Sequence, residues 1–199
     1  MIKEKELDAL KMFRELVKTQ VKSFKKQDFN SGNMMSFSYN AKDKTKAWDK
    51  NPLVLILKSS KSYMLGLNFH WVPKKIRYVL LSYIFKLNVK NIKEGKPLEV
   101  NYKQIKNLII KLKLVAVVRL YIVNRISKKG IIIPQKYMRK AIDLPSENFI
   151  GITAEQAYSL MVKKKKPLTK KKPQVVDYKK LRTERKLKKE KKMKALNNE

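Results

Sequence analysis

The sequence predicts an α+β fold: a small, strongly twisted or barrel-like β-sheet flanked by helices, with an N-terminal helix and an extended basic C-terminal tail. Three observations carry this. Between residues 35 and 71, apolar residues alternate with polar ones or form short runs, the period-two pattern of strands. On either side, apolar residues recur every three or four positions, the period of helices. Beyond residue 162 neither period is sustained and lysine dominates.

Residues 1–30 form the first segment. Leu10, Phe13, Val17, Val21 and Phe24 keep three- and four-residue spacings, which places them on one helical face. Lys11, Arg14, Lys18, Lys22 and Lys25 repeat that spacing one position later, a basic stripe beside the apolar one. The apolar stripe is expected to dock. The basic stripe is either a solvated face or a track for phosphates.

Residues 31–162 form the core. Asn30-Ser31-Gly32-Asn33 is turn chemistry. Met35, Phe37 and Tyr39 alternate with Ser36 and Ser38, which predicts a half-buried strand. Leu53 to Leu57 follows Pro52 and reads as a buried strand. Leu65, Leu67, Phe69 and Trp71 alternate with Gly66, Asn68 and His70, a third strand. Pro73 suits the first turn of a helix, whose apolar face is Ile76, Val79, Leu80, Tyr83 and Ile84. Asn101 and Gln104 have capping-box spacing ahead of a helix that buries Ile105, Leu108, Ile109 and Leu112. Val115 to Ile126 is rich in β-branched residues and favours strand, with Arg119 and Asn124 facing outward or toward a ligand. Lys128-Lys129-Gly130 reads as a turn into Ile131 to Ile133. Pro134 opens a short helix that Leu144-Pro145 ends, and Thr153 with Gln156 caps a last core helix.

Residues 163–199 are the tail, with 17 Lys and Arg against 4 Asp and Glu. Its few apolar residues cannot offset the entropy of ordering, so it is expected to be disordered when free.

Charge separates the function classes. The 199 residues carry 49 Lys+Arg against 16 Asp+Glu, a net +33. Such self-repulsion opposes a compact state unless a polyanion neutralises it, and nucleic acid does so while releasing its own counterions. An anionic membrane is a poorer fit, because the basic tail has no apolar face to insert. Apolar runs such as 53–57 fall far short of the roughly 20 residues that span a bilayer. The start of the chain has no apolar signal-peptide core. With no cysteine and a single histidine, disulfides, thiolate zinc sites and Cys nucleophiles are excluded. No cofactor or metal is expected, and no catalytic residue. His70 alone does not make an acid–base pair. Asp43 and Asp49 are too sparse for a two-metal nuclease site. Five glycines form no phosphate-cradling loop.

The binding residues expected are Lys74, Lys75 and Arg77 in the core, and Lys163, Lys164, Lys165, Lys166, Lys170, Lys171 and Lys172 in the tail. The first three crowd the opening turn of a helix, where backbone N–H groups favour a phosphate. Without an anion, the helix dipole makes that crowding unfavourable. Nearby Tyr63, Phe69, Trp71, Tyr78 and Tyr83 are either core or a stacking platform for bases.

Three stretches carry a resemblance: Met35-Ser-Phe-Ser-Tyr-Asn-Ala-Lys42, Trp48-Asp-Lys-Asn-Pro-Leu-Val-Leu55 and Leu65-Gly-Leu-Asn-Phe-His-Trp-Val-Pro73. They resemble tailed-bacteriophage virion proteins of the myophage-type family labelled DNA end protector. The similarity extends over residues 34–158, through Arg119-Leu-Tyr-Ile122, Ile133-Pro134 and Ala141-Ile-Asp-Leu-Pro145 to Phe149. Its most specific part is Gly66-Leu67-Asn68-Phe69-His70-Trp71. Trp48 stands where the family tends to have Tyr and Asn51 where it tends to have Phe; a Trp expected near Met138 is missing.

The resemblance implies a minor structural protein of the virion that contacts packaged double-stranded DNA, protecting its ends or sitting at the head–tail connection. Its partners would be DNA and portal, capsid or tail proteins, without a membrane. It would reside in the virion, and in the host cytoplasm during assembly. Two other readings fit the composition: a ribosomal or other RNA-binding protein within a ribonucleoprotein, and a virion adaptor that contacts only protein.

Overall fold

The computed structural model describes residues 2–44, 46–114 and 117–162. The tail lysines from Lys163 onward lie outside the described residues.

The chain opens with helix α1 (Ile2–Gln20), then strands β1 (Lys22–Ser23), β2 (Met34–Tyr39), β3 (Trp48–Asp49), β4 (Leu53–Ser59) and β5 (Tyr63–Asn68). Helices α2 (Lys74–Leu87), α3 (Val89–Lys93) and α4 (Tyr102–Lys111) follow. Strands β6 (Val118–Ile122) and β7 (Ile126–Ile133), helix α5 (Met138–Ala141), strand β8 (Phe149–Ile150) and helix α6 (Ala154–Val162) complete it. Six strands form an antiparallel sheet in the order β1-β7-β2-β4-β5-β6, while β3 pairs with β8 separately. The two edges, β1 and β6, do not meet, so the sheet is α+β but not a closed barrel. Irregular register between Phe37 and Tyr39, and between Ile56 and Lys58, raises the local twist.

One sheet face carries the main core. Met34, Leu53, Leu55, Leu57 and Leu67 pack there against the helices through Leu80, Leu81, Ile84, Ile105 and Ile109. Each large apolar side chain buried this fully contributes about 1.5–3 kcal/mol. The opposite face holds a smaller cluster of Met35, Phe37, Val54, Ile56, Met64 and Tyr121, with Phe24 and Phe29 laid against it. Paired residues share a face, so the Met64↔Tyr121 and Gly66↔Arg119 pairings put Arg119 and Tyr121 on this thinly covered side, at edge strand β6.

Both capping boxes form as expected. Asn101 and Gln104 exchange backbone-to-side-chain bonds of 2.9 and 3.1 Å ahead of α4. Thr153 and Gln156 do the same at 2.8 and 3.2 Å ahead of α6. Strands β2 and β4 also stand where expected.

Four expectations need correction. Lys128-Lys129-Gly130 is no turn but the middle of β7, paired with β1 on one side and β2 on the other. A Cβ on Gly130 would collide with the Phe24 ring and the Ser36 carbonyl, so glycine is there for close packing. The third strand stops at Asn68, whose side chain accepts from His70 N at 2.9 Å and starts a 3-10 turn over Phe69–Trp71. Gly66 and Asn68 alternate within the strand, His70 lies beyond it in the turn, and all three are buried. The first helix ends at Gln20, so Val21 and Phe24 fall outside it, and on α1 itself Ala9, Met12 and Leu16 are buried, one position off the expected stripe, with Leu10 and Phe13 half-buried beside them and Val17 42% exposed. On α2 the expected face holds except at Val79: Leu80 and Ile84 are buried, Ile76 and Tyr83 pack half-buried on the core, and Arg77 and Leu81 are buried beside them while Val79 is exposed.

Candidate nucleic-acid interface

The structure separates the three basic residues at the start of α2. Lys75 is exposed. Lys74 pairs with Glu6 of α1. Arg77, expected at the surface, is fully buried, and its donors are taken up inside the fold. Its Nε donates to Val72 O at 2.8 Å, its Nη1 to Ile142 O at 3.0 Å, and its Nη2 to Tyr158 Oη at 2.9 Å and to Glu147. One side chain thus ties α2 to the end of α5, the approach to β8, and α6. Burial raises the Glu147 carboxyl, but the Arg77 charge and hydrogen bond outweigh this and hold it below the usual carboxylate range. Burial, with Glu147 beside it, pushes the Tyr158 hydroxyl up to about 12. The crowding of cations that suggested a phosphate is answered inside the chain, by Glu6 and Glu147.

A second buried network explains the Gly66-to-Trp71 motif. A Cβ on Gly66 would collide with Val54. Asn68 Nδ2 donates to Asp49 Oδ2 and to Tyr121 Oη, each at 3.1 Å. His70 Nδ1 lies 2.7 Å from Asp49 Oδ2, and its Nε2 lies 3.0 Å from Ser146 Oγ. Asp49 Oδ1 accepts from Asn51 N at 3.1 Å. Because the carboxylate only accepts, the imidazole donates from Nδ1, and in its neutral form accepts from Ser146 at Nε2. Asp–His–Ser is the order of a serine-hydrolase relay. Here it joins β3, the turn after β5 and the loop before β8, with His70 wholly buried. The cavity described next borders Asp49 and Asn68 but neither His70 nor Ser146.

That cavity, about 330 Å³, opens on the thin face beside edge strand β6. Five aromatic residues line it, Tyr39, Trp48, Tyr63, Trp71 and Tyr121, together with the carboxylates of Asp43 and Asp49. Arg119 lies over the Trp71 ring, its guanidinium carbon 3.9 Å from the centroid, in cation–π geometry. Trp71 in turn meets Phe149 edge-on at 4.9 Å. Lys42 and Lys46, both exposed, stand at the rim on the loop between β2 and β3. Lys46 pairs with Asp43 at 3.2 Å. Burial lowers the Arg119 pKa, opposed by Tyr121 and Asp49. Two buried donors here have no hydrogen-bond partner among the described residues: Trp48 Nε1 and Arg119 Nε.

Of the aromatics expected near the site, Phe69 and Trp71 are core and Tyr63 is 49% exposed at the cavity. Tyr78 donates to Asp143, away from it. Arg119 was expected to face outward or toward a ligand. The convergence on it of Trp48 and Tyr39, from strands far apart in sequence, was not anticipated. Their only signal was membership of the same stretches that carry the family resemblance.

No curated protein and no solved structure matches the chain. Residues 3–166 match the sequence family described as phage T4 terminal DNA protecting protein, a span that takes in the sheet, both networks and the cavity. A match over that length identifies the chain as a member of the phage T4 terminal DNA protecting protein family.

Proposed function

We propose that this protein is a passive cap for the ends of phage double-stranded DNA, carried in the virion or on infecting DNA, and held near the head–tail connection by portal, capsid or tail proteins. The observation that carries the reading is the family match over residues 3–166, in a chain of net charge +33. Ion pairs among the described residues engage Lys18, Lys22, Lys46, Lys74, Lys96 and Arg77, which leaves most of the basic side chains among those residues for a polyanion. Lysines contact phosphates without reading sequence, as suits a protein that must hold any end of a given genome. Occluding the end blocks exonucleases by exclusion, with no chemical step. The basic tail adds affinity through Lys163 to Lys166 and Lys170 to Lys172.

The test is binding of the full chain to linear duplex, covalently closed duplex and structured RNA across a salt series, with exonuclease digestion in parallel. With about eight phosphates neutralised, log Kobs should fall with log salt at a slope near −7. Preference for the linear duplex together with protection of its ends is the expected result. Equal binding to all three, with no protection, would overturn the reading. Preference for structured RNA would move the protein to a ribonucleoprotein.

A further inference from the structure

We propose that the cavity beside Arg119 is a seat for the terminal nucleotide of a DNA strand, with the phosphate on the Arg119 guanidinium and the base against the aromatic wall. The source of that nucleotide rests on the end-protection reading above; the chemistry of the seat does not.

The case begins with Arg119. Among the described residues it makes no hydrogen bond and no ion pair, and its Nε is buried and unpartnered. A desolvated cation whose nearby counter-charge makes no ion pair with it is costly to hold. The nearest buried carboxylate, Asp49, already accepts from Asn68, His70 and Asn51. An incoming anion would supply charge that this desolvated guanidinium lacks, and the outer guanidinium nitrogens match phosphate oxygens two at a time.

The remaining lining selects what carries the anion. Tyr39, Tyr63 and Trp48 offer ring surface, and Leu120, 60% exposed, extends it outward. Rings of this kind stack on any base. Lys42, with no ion pair among the described residues, stands at the mouth where a following phosphate would pass. Arg119 and the rim lysines repel cations, so this is no cage for a quaternary ammonium group.

Size and position supply the specificity for ends. A cavity of about 330 Å³ is at the small end of ligand pockets and suits one nucleotide. A nucleotide inside a duplex must be flipped out of its stack to enter, whereas a terminal one frays and has a stacking partner on one side only. The cavity lies beside an open sheet edge, so the rest of the duplex has room to lie outside.

Both tryptophans of the chain line this cavity, so intrinsic fluorescence reports on it directly. The full chain is titrated with a deoxynucleoside 5′-monophosphate, the same nucleoside without phosphate, and inorganic phosphate. Arg119→Gln and Lys42→Ala are compared, with circular dichroism to check folding. A saturable change is expected with the monophosphate. Loss of the charge-assisted bonds should weaken binding about tenfold or more for the nucleoside and for Arg119→Gln. Lys42→Ala, on an exposed loop, should weaken it by about twofold. The nucleoside comparison and Lys42→Ala decide the matter if Arg119→Gln does not fold. No saturable change with the monophosphate, equal binding of nucleoside and nucleotide, or a folded Arg119→Gln that binds as well as wild type would overturn the seat. Nucleotide binding without preference for linear duplex would sustain the seat and remove the end-cap reading. End protection without nucleotide binding would do the reverse.

Discussion

Arg77 and Arg119 are both drawn out of solvent, and the chain treats them in opposite ways. Arg77, on α2, is surrounded by acceptors from three other parts of the fold and has Glu147 as its counter-charge. Arg119, on edge strand β6, rests on the ring of Trp71 and has no acceptor among the described residues. The first completes its own hydrogen bonding and so belongs to the fold. The second lines a cavity with no acceptor of its own among the described residues, which is the ground for the proposed seat. Burial does not distinguish a structural cation from a binding one; the state of its donors does. The same contrast separates the satisfied Asp49–Asn68–His70–Ser146 network from the unpartnered Trp48 Nε1 a few residues away.

The comparison can be broken most sharply at Arg77. Arg77→Leu strands the Glu147 carboxylate and should cost about 3–5 kcal/mol in urea denaturation. A loss below about 1 kcal/mol would mean that the network does not hold the helices together. Next in size is Asp49→Ala, which removes acceptors from Asn68, His70 and Asn51 at once. It should lose about 2–3 kcal/mol, read from the same denaturation curves.

The pH dependence sharpens the comparison with a smaller effect. Because the Glu147 carboxyl is held below its ordinary value in the folded chain, the unfolded chain takes up its proton first as pH falls. Stability from this group is therefore present above the ordinary carboxylate pKa and is lost progressively below it. Thermal melts of Glu147→Gln should start lower at neutral pH and lose less on acidification than wild type. Parallel curves would show that Arg77 draws nothing from this partner. The smallest effect is expected at Arg119. Arg119→Gln removes no side-chain hydrogen bond within the described residues, only the cation–π contact with Trp71, so its melting curve should move by no more than about 1–2 kcal/mol equivalent. A loss as large as that of Arg77→Leu would erase the distinction.

How much of this was legible depended on how local the signal was. Asn101 with Gln104, and Thr153 with Gln156, act within one helical turn, and both capping boxes formed. Met34 to Tyr39 and Leu53 to Ser59 were readable because strand periodicity and burial coincide there. Gly130 was misread because its reason is the ring of Phe24, a residue more than a hundred positions away that only the β1–β7 pairing brings near. Arg77 was misread for the same cause: a cation in a first helical turn is ordinarily a surface residue, and its acceptors at 142, 147 and 158 are remote. Burying Arg77 leaves Val79, two positions on and across the helix, exposed, while the rest of the expected α2 face packs on the core. The cavity was half legible. Arg119 stood out in an apolar run, but Tyr39, Tyr63 and Trp48 reach it through sheet pairings that local spacing does not reveal.

The most direct test of the account is digestion of a linear duplex by a double-strand exonuclease after incubation with wild-type protein or Arg119→Gln, with affinity for closed-circular duplex measured alongside. The account predicts that wild type shields the ends, that Arg119→Gln leaves them open to digestion, and that the two bind the closed circle equally. Ends digested as fast with wild type as without it, or shielded as well by Arg119→Gln, would contradict it.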